Sequence, residues 1–369
     1  MTVIKISTNK LLKTVSHSIA FASLVLLLGC PSNSNKPAEF NSSTPVTDAP
    51  AKSDFDADRA FDYVRKQVEF GPRPPGTPEL EKTRAYIIDQ LRSFGLNVTT
   101  DEFHATTPVG DRRMANIIAE LPGSSDIVII GSHFDTKLFK DIKFVGANDA
   151  GSSTGALIEI ARVLAAKKQN KLTYRFVFFD GEEAFCRDWD DCHNPNPADP
   201  SKPLPDNLYG SRHYVSQLVE KNEASRVKAM ILMDMMGYKD LRLGRADLGT
   251  AWLQDLVWQT GKQLGYKEFV DAPEGVGDDD HSPFLKASID SLDIIQLNTY
   301  PYWHTKDDTL DKVSAKSLKI VGDTIIASLP KIEERLASRV SAGTPTPTLI
   351  TPVQNERDEK SPKKKPGKR

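Results

Sequence analysis

The chain has 369 residues, 39% of them hydrophobic and 27% charged. This is a globular composition, with enough length for one large α/β domain. A formal net charge of −2 argues against a polyanionic partner for the whole molecule, so no nucleic acid is expected.

The first 30 residues read as a targeting segment. Lys5, Lys10 and Lys13 make a positive start, and the apolar run 19–28 is short for a permanent spanning helix. It ends Leu27-Leu28-Gly29-Cys30, which resembles the bacterial lipobox, whose cysteine becomes the lipidated first residue. An exported bacterial lipoprotein is therefore expected, anchored to a membrane through Cys30 and facing the periplasm or the cell exterior. An ordinary signal peptide is the alternative. Residues 31–53, rich in Pro, Ser, Asn, Thr and Ala, read as a flexible linker. Residues 341–369, Pro/Thr-rich and then basic, read as a disordered tail, either simply solvated or weakly drawn to anionic surfaces. One folded domain, 54–340, remains, and a monomer is expected.

Within it, helical and strand patterns alternate. Residues 57–70 carry Ala60, Phe61, Val64 and Val68 at helical spacing, and 79–94 repeat the pattern. Residues 98–103 and 114–121 read as a hairpin-like pair of strands. The apolar runs 127–131, 174–179, 228–233 and 292–297 read as buried strands, and 152–167, 208–219, 250–264 and 315–337 as helices. Such alternation implies an α/β fold with a mixed, mostly parallel central sheet and helices on both faces.

Metal-capable side chains stand just beyond the ends of these strands: His133 and Asp135, then Asp180, Glu182 and Glu183, then Asp234. Ligands of open α/β sheets bind in the crevice beyond the strands' carboxyl ends. Asp149 opens a helix, so it can serve as a helix cap, as a ligand on a tight turn, or as both. The adjacent acids Glu182 and Glu183 repel each other unless a cation binds one of them, which leaves the other free for proton transfer. His304, after the last strand, completes an Asp149/Glu183/His304 set. Two carboxylates and an imidazole suit zinc with an open fourth position, the mark of a catalytic ion. Cys186 and Cys192 share one loop and, after export, can close a small disulfide; free thiols or stray metal ligands are the alternatives.

Across residues 61–329 the chain resembles the zinc-dependent M28 peptidase family, and within it most resembles the glutaminyl-peptide cyclotransferases (glutaminyl cyclases). The motifs that carry this are Phe70-Gly71-Pro72-Arg73, Ser132-His133-Phe134-Asp135-Thr136, Ala147-Asn148-Asp149, Asp180-Gly181-Glu182-Glu183-Ala184-Phe185, Leu208-Tyr209-Gly210-Ser211-Arg212, Asp279-Asp280-His281-Ser282-Pro283-Phe284 and Trp303-His304-Thr305. The resemblance implies a zinc-aminopeptidase-like α/β/α sandwich. In the cyclase branch one zinc polarises the γ-carboxamide of an N-terminal Gln, the peptide's own α-amine attacks it, and pyroglutamate and ammonia result. Glu182 would carry the proton, Asp280 with Asp234 behind it would support the intermediate through a carboxylate network, and Trp303 and Trp189 would wall the substrate pocket. In the peptidase branch, His133 and Asp234 hold a second zinc and Asp149 bridges the two ions. There the reaction is aminopeptidase hydrolysis, with Glu182 as general base. The Asn-Asp-Ala-Gly-Ser turn at Asp149 stands nearer the peptidase pattern, and the loop 186–206 is expanded. A non-catalytic envelope-binding lipoprotein is a third reading, against which every ligand and Glu182 are retained.

Overall fold

The computed structural model describes residues 53–167, 170–187, 192–342 and 349–350. The expected signal segment, Cys30, the linker up to residue 52 and Trp189 lie outside the described residues, as does most of the expected tail.

Helix α1, Ala57–Phe70, starts at Asp56, whose side chain accepts from the Asp58 and Arg59 N–H groups, and stops at Gly71 with φ of 98°. Helix α2, Pro78–Ser93, is capped by Thr77 and has proline at its first turn. Strands β1, Asn97–Ala105, and β2, Arg112–Leu121, form the expected antiparallel pair. Strand β3, Ile127–His133, is buried along its whole length. Helix α3, Gly151–Ala165, precedes β4, Thr173–Phe179, and helix α4, Tyr209–Glu220, precedes β5, Val227–Met233. Then come β6, Leu243–Ala246, β7, Gly249–Thr250, helix α5, Ala251–Gln263, and β8, Phe269–Glu274. Helix α6, Ser282–Lys286, leads to β9, Ser291–Ile294, the long closing helix α7, Ala315–Ala342, and β10, Leu349–Ile350.

Six strands make the central sheet in the order β1-β2-β4-β3-β5-β9. The pairings β4–β3, β3–β5 and β5–β9 are parallel, and β1–β2 and β2–β4 are antiparallel. The sheet is therefore mixed and mostly parallel, as expected, and the buried runs of β3, β4 and β5 are what helices on both faces require. One core cluster joins α1, α3, α5 and α7 to the sheet, and a second lies between the sheet and α4 and α6.

Differences from the sequence reading are local. The strand expected over 292–297 ends at Ile294, because its partner β5 ends at Met233, opposite it. Beyond that point Leu297 and Asn298 donate to the Glu274 side chain rather than to a strand's backbone. Strands β6 and β8 form a separate two-stranded parallel sheet that was not expected. Within the segment read as tail, helix α7 reaches Ala342, and Leu349–Ile350 pairs with Gly249–Thr250. No helix among the described residues is long and apolar enough to cross a membrane.

Helix α3 lies tight against α1 because Gly155 has no side chain: a Cβ there would meet Val64 Cγ2 at 2.8 Å and the Ala60 carbonyl at 2.9 Å. Gly155→Ala is expected to cost about 1–3 kcal/mol by forcing these helices apart. A lowered urea midpoint at unchanged slope would report it.

Candidate active site

The carboxyl ends of the parallel strands bring the expected ligands together. His304 Nε2 lies 3.1 Å from Glu183 Oε2 and 3.5 Å from Asp149 Oδ2. Ligands about 2.0 Å from a tetrahedral ion stand about 3.3 Å apart, so these separations fit a zinc-sized cation. Asp149 Oδ2 is buried without a hydrogen-bond donor, which leaves it free to coordinate. His133 Nε2 lies 3.3 Å from the other Asp149 oxygen and 3.2 Å from Asp234 Oδ1. Two three-residue groups capable of holding a metal thus share Asp149: Asp149/Glu183/His304 and His133/Asp149/Asp234.

The backbone around Asp149 is held from outside its own turn. Asp308, fully buried, accepts from the Asn148 N–H at 2.8 Å, the Asp149 N–H at 3.1 Å and the Tyr300 hydroxyl at 2.7 Å. Asp308 is also four residues past His304, so one carboxylate ties together the segments bearing two of the ligands. Burial first, and then the Asp149 charge, raise its carboxyl to about 6. Arg73, also fully buried, donates to the Phe134, Val145 and Gly146 carbonyls at 2.7–3.0 Å. Asp149 does not cap α3, which begins after Ala150 without a side-chain cap.

Asp135 plays a similar part for the next two acids. Its oxygens accept from the Glu182 and Glu183 N–H groups at 3.1 and 3.3 Å, and Oδ1 lies 3.4 Å from His133 Nδ1. A carboxylate behind a metal-capable imidazole fixes ring orientation and raises basicity. Asp180 is not part of this group: it pairs with Arg84 at 2.5 Å and accepts from the Ala115 N–H at 2.8 Å, tying β4 to α2 and β2. Leu208, Met235 and His304 adopt left-handed backbone, with φ of 53°, 41° and 55°. Non-glycine residues held there concentrate at functional sites. Phe139 and Phe144 meet the His304 ring edge-on, and Trp303 stacks beside it at 4.3 Å.

Glu182 is half-buried and opens, beside Glu183 and Asp149, onto a cavity of about 220 Å³. Burial pushes its carboxyl well above the usual range. The nearby His133 opposes this, and the Glu183, Asp279 and Asp280 charges add to it. Glu183 differs: burial raises it, but His304 outweighs burial and holds it below the usual range. The neighbouring acids are thus shifted in opposite directions, Glu182 toward a stronger base and Glu183 toward the ionised form that suits a cation.

Trp303 lines this cavity, and so does Asp234, which was expected behind Asp280. Asp279, rather than the expected Asp280, faces it from the Asp279-Asp280-His281 motif; Asp280 is fully buried behind. Burial and then the Asp279 charge drive Asp280 well up. Lys137, which the sequence reading gave no role, lines the cavity and donates to the Ala184 carbonyl at 2.9 Å. Cys186 and Cys192 form a disulfide with Cα atoms 5.5 Å apart.

The Asp308 clamp makes a prediction about metal affinity. Asp308→Asn puts an amide N–H group where an acceptor now serves a backbone donor. The zinc dissociation constant, read by competition with a chromophoric chelator, is expected to rise about 10–100-fold. An unchanged constant would show that the clamp does not set the position of Asp149.

The family model for peptidase family M28 matches residues 116–329. A glutaminyl-peptide cyclotransferase of Drosophila melanogaster is 27% identical over 68% of this chain and 75% of its own length. Among solved structures, the glutaminyl cyclase of an Acidobacteriales bacterium is 35% identical, with a TM-score of 0.69 over 79% of this chain and 98% of that one. A Zn-dependent exopeptidase of Parabacteroides distasonis is 29% identical, with a TM-score of 0.65 over 74% and 98%. The latter neighbour, with the two residue groups above, points to zinc as the metal. The chain belongs to peptidase family M28, on the branch that resembles the glutaminyl-peptide cyclotransferases.

Proposed function

We propose that the protein is a zinc-dependent glutaminyl-peptide cyclotransferase, converting the N-terminal Gln of peptides or proteins to pyroglutamate with release of ammonia. The observation that carries this reading is Glu182. Its carboxyl opens onto a small cavity beside the Asp149/Glu183/His304 group, where burial makes it a stronger base, in a chain whose relatives are named for this reaction.

One zinc would be held by Asp149, Glu183 and His304, and when bound it supplies a Lewis acid. Glu182 accepts a proton from the substrate α-amine as that nitrogen bonds to the γ-carboxamide carbon. It returns the proton to the departing nitrogen as the carbon–nitrogen bond of the amide breaks, so ammonia leaves neutral. Asp279 and Asp234, facing the same cavity, stand where they can hold the reacting nitrogens. Met235, Ile295, Leu297 and Trp303 give it apolar walls, which favour a compact chain poised for ring closure. In the one-zinc reading, His133 keeps its hydrogen-bonded contact with Asp234 and binds no metal. The protein would be anchored through a lipidated Cys30, with its catalytic domain in an exported compartment.

Incubation with a Gln-initiated peptide is expected to release ammonia and no amino acid, with about one zinc per chain. Glu182→Gln should lower kcat by about 10²–10⁴-fold while zinc remains bound. Free amino acid from Leu- or Ala-initiated peptides, with two zincs per chain, would establish the hydrolytic reading instead, with His133/Asp149/Asp234 as the second ion's site. Separately, Cys30→Ala should move the protein from the membrane fraction to the soluble fraction. Unchanged partition would remove the lipid anchor.

A further inference from the structure

The cavity at Glu182 adjoins a second and larger one of about 740 Å³. Lys137, Ala184, Asn207, Trp303 and His304 line both. The outer cavity is a groove whose further wall carries Phe139, the Cys186–Cys192 disulfide and the turn with Leu204 and Pro205 as its apolar part, with Arg187 and His193 beside them. Trp303, 42% exposed, stands at the junction.

The groove is built before any ligand arrives. Asp206 accepts from the Cys186 N–H and the Tyr209 hydroxyl, both at 2.7 Å. The buried Asn194 amide nitrogen lies 2.9 Å from the Thr106 and Pro205 carbonyls and 3.1 Å from the Tyr209 oxygen, its two N–H groups shared among the three acceptors. The disulfide fastens the loop two residues past Ala184, and so to the segment carrying Glu182 and Glu183. A wall pinned at these points loses little freedom on binding, so more of the contact energy appears as affinity.

We infer that this groove is a subsite for the residues that follow the substrate's N-terminal residue, and that it selects peptides with an apolar side chain at the second or third position. The inference rests on the cyclase reading above. The inner cavity, about 220 Å³ with acids beside its apolar walls, has room for little more than one residue, and the rest of a peptide can leave past Trp303 and His304, which line both cavities. The groove begins there, and its volume is in the range that holds a ligand larger than one amino acid.

The test compares Gln-Gly-amide, Gln-Gly-Gly-Gly-amide and Gln-Leu-Phe-Gly-amide on the zinc-loaded full chain. The apolar peptide is expected to have a KM about tenfold below that of the glycine peptide of the same length, with kcat within about twofold. Leu204→Glu should erase most of that ratio. A double Cys186→Ser/Cys192→Ser variant, which loosens the wall without adding charge, should reduce it in part. Equal KM values for the two long peptides, with Gln-Gly-amide turned over normally, would overturn the subsite and leave the cyclase reading standing. No pyroglutamate from any of the three would remove the cyclase reading, and the subsite with it.

Discussion

Crowding of buried carboxylates at one end of the sheet is the constraint on which the rest of the structure depends. Asp135, Asp149, Glu183, Asp234, Asp279, Asp280, Asp293 and Asp308 are all buried. Burying an unpaired carboxylate costs several kcal/mol. Among the described residues the cations set against them are few: Arg73, held among backbone carbonyls, Lys137, 3.9 Å from Glu183, and the imidazoles of buried His133 and half-buried His304 when protonated. Several of the acids respond by rising, Asp234 to about 7 and Asp280 and Asp293 well above the usual range, with burial the first cause in each. A divalent cation held by Asp149, Glu183 and His304 would relieve the same repulsion more directly. An ion held there would steady this cluster as well as supply its chemistry.

Backbone donors do the remaining work of holding the acids apart. Asp308 and Asp135 each take two N–H groups from the turn that presents a ligand, so the ligand turns are fixed by carboxylates that do not themselves reach the metal groups. The left-handed backbone at His304, Met235 and Leu208 shows the same dependence from the other side. Such conformations persist only where the surroundings over-determine them. Here the surroundings are the Phe139, Phe144 and Trp303 rings around His304 and the Glu182 carbonyl that receives the Leu208 N–H.

Much of this was legible in the residues. Helix 57–70 has the bounds its apolar spacing implied, and the continuous apolar runs of β3, β4 and β5 announced strands buried on both faces, with acids beyond their ends. What was not legible is direction. Asp279 and Asp280 are neighbours with the same side chain, and only the path of the chain into α6 decides which faces the cavity. Asp307 and Asp308 pose the same problem: in sequence they belong to one polar run after His304, yet Asp307 is exposed and Asp308 is buried under Asn148 and Asp149. Strands β6 and β8 escaped notice because Leu243–Ala246 is very short and Phe269–Glu274 carries Pro273 and two acids. Their pairing depends on each other rather than on a local pattern.

The same ligand constellation can serve hydrolysis or ring closure, so the ligands alone do not choose the reaction. A hydrolase must deliver water to a carbonyl, whereas cyclisation needs water kept away while a flexible side chain folds back on its own amine. Apolar residues from three segments, Met235 after β5, Ile295 and Leu297 after β9, and Trp303 beside the last ligand, line the cavity at Glu182. Burial raises the proton affinity of Glu182, which makes it a stronger base for the amine's proton. It also shortens the list of competing nucleophiles to those the substrate itself carries. Reaction choice on this scaffold therefore lies in the wall of the cavity more than in the metal ligands that the two branches share.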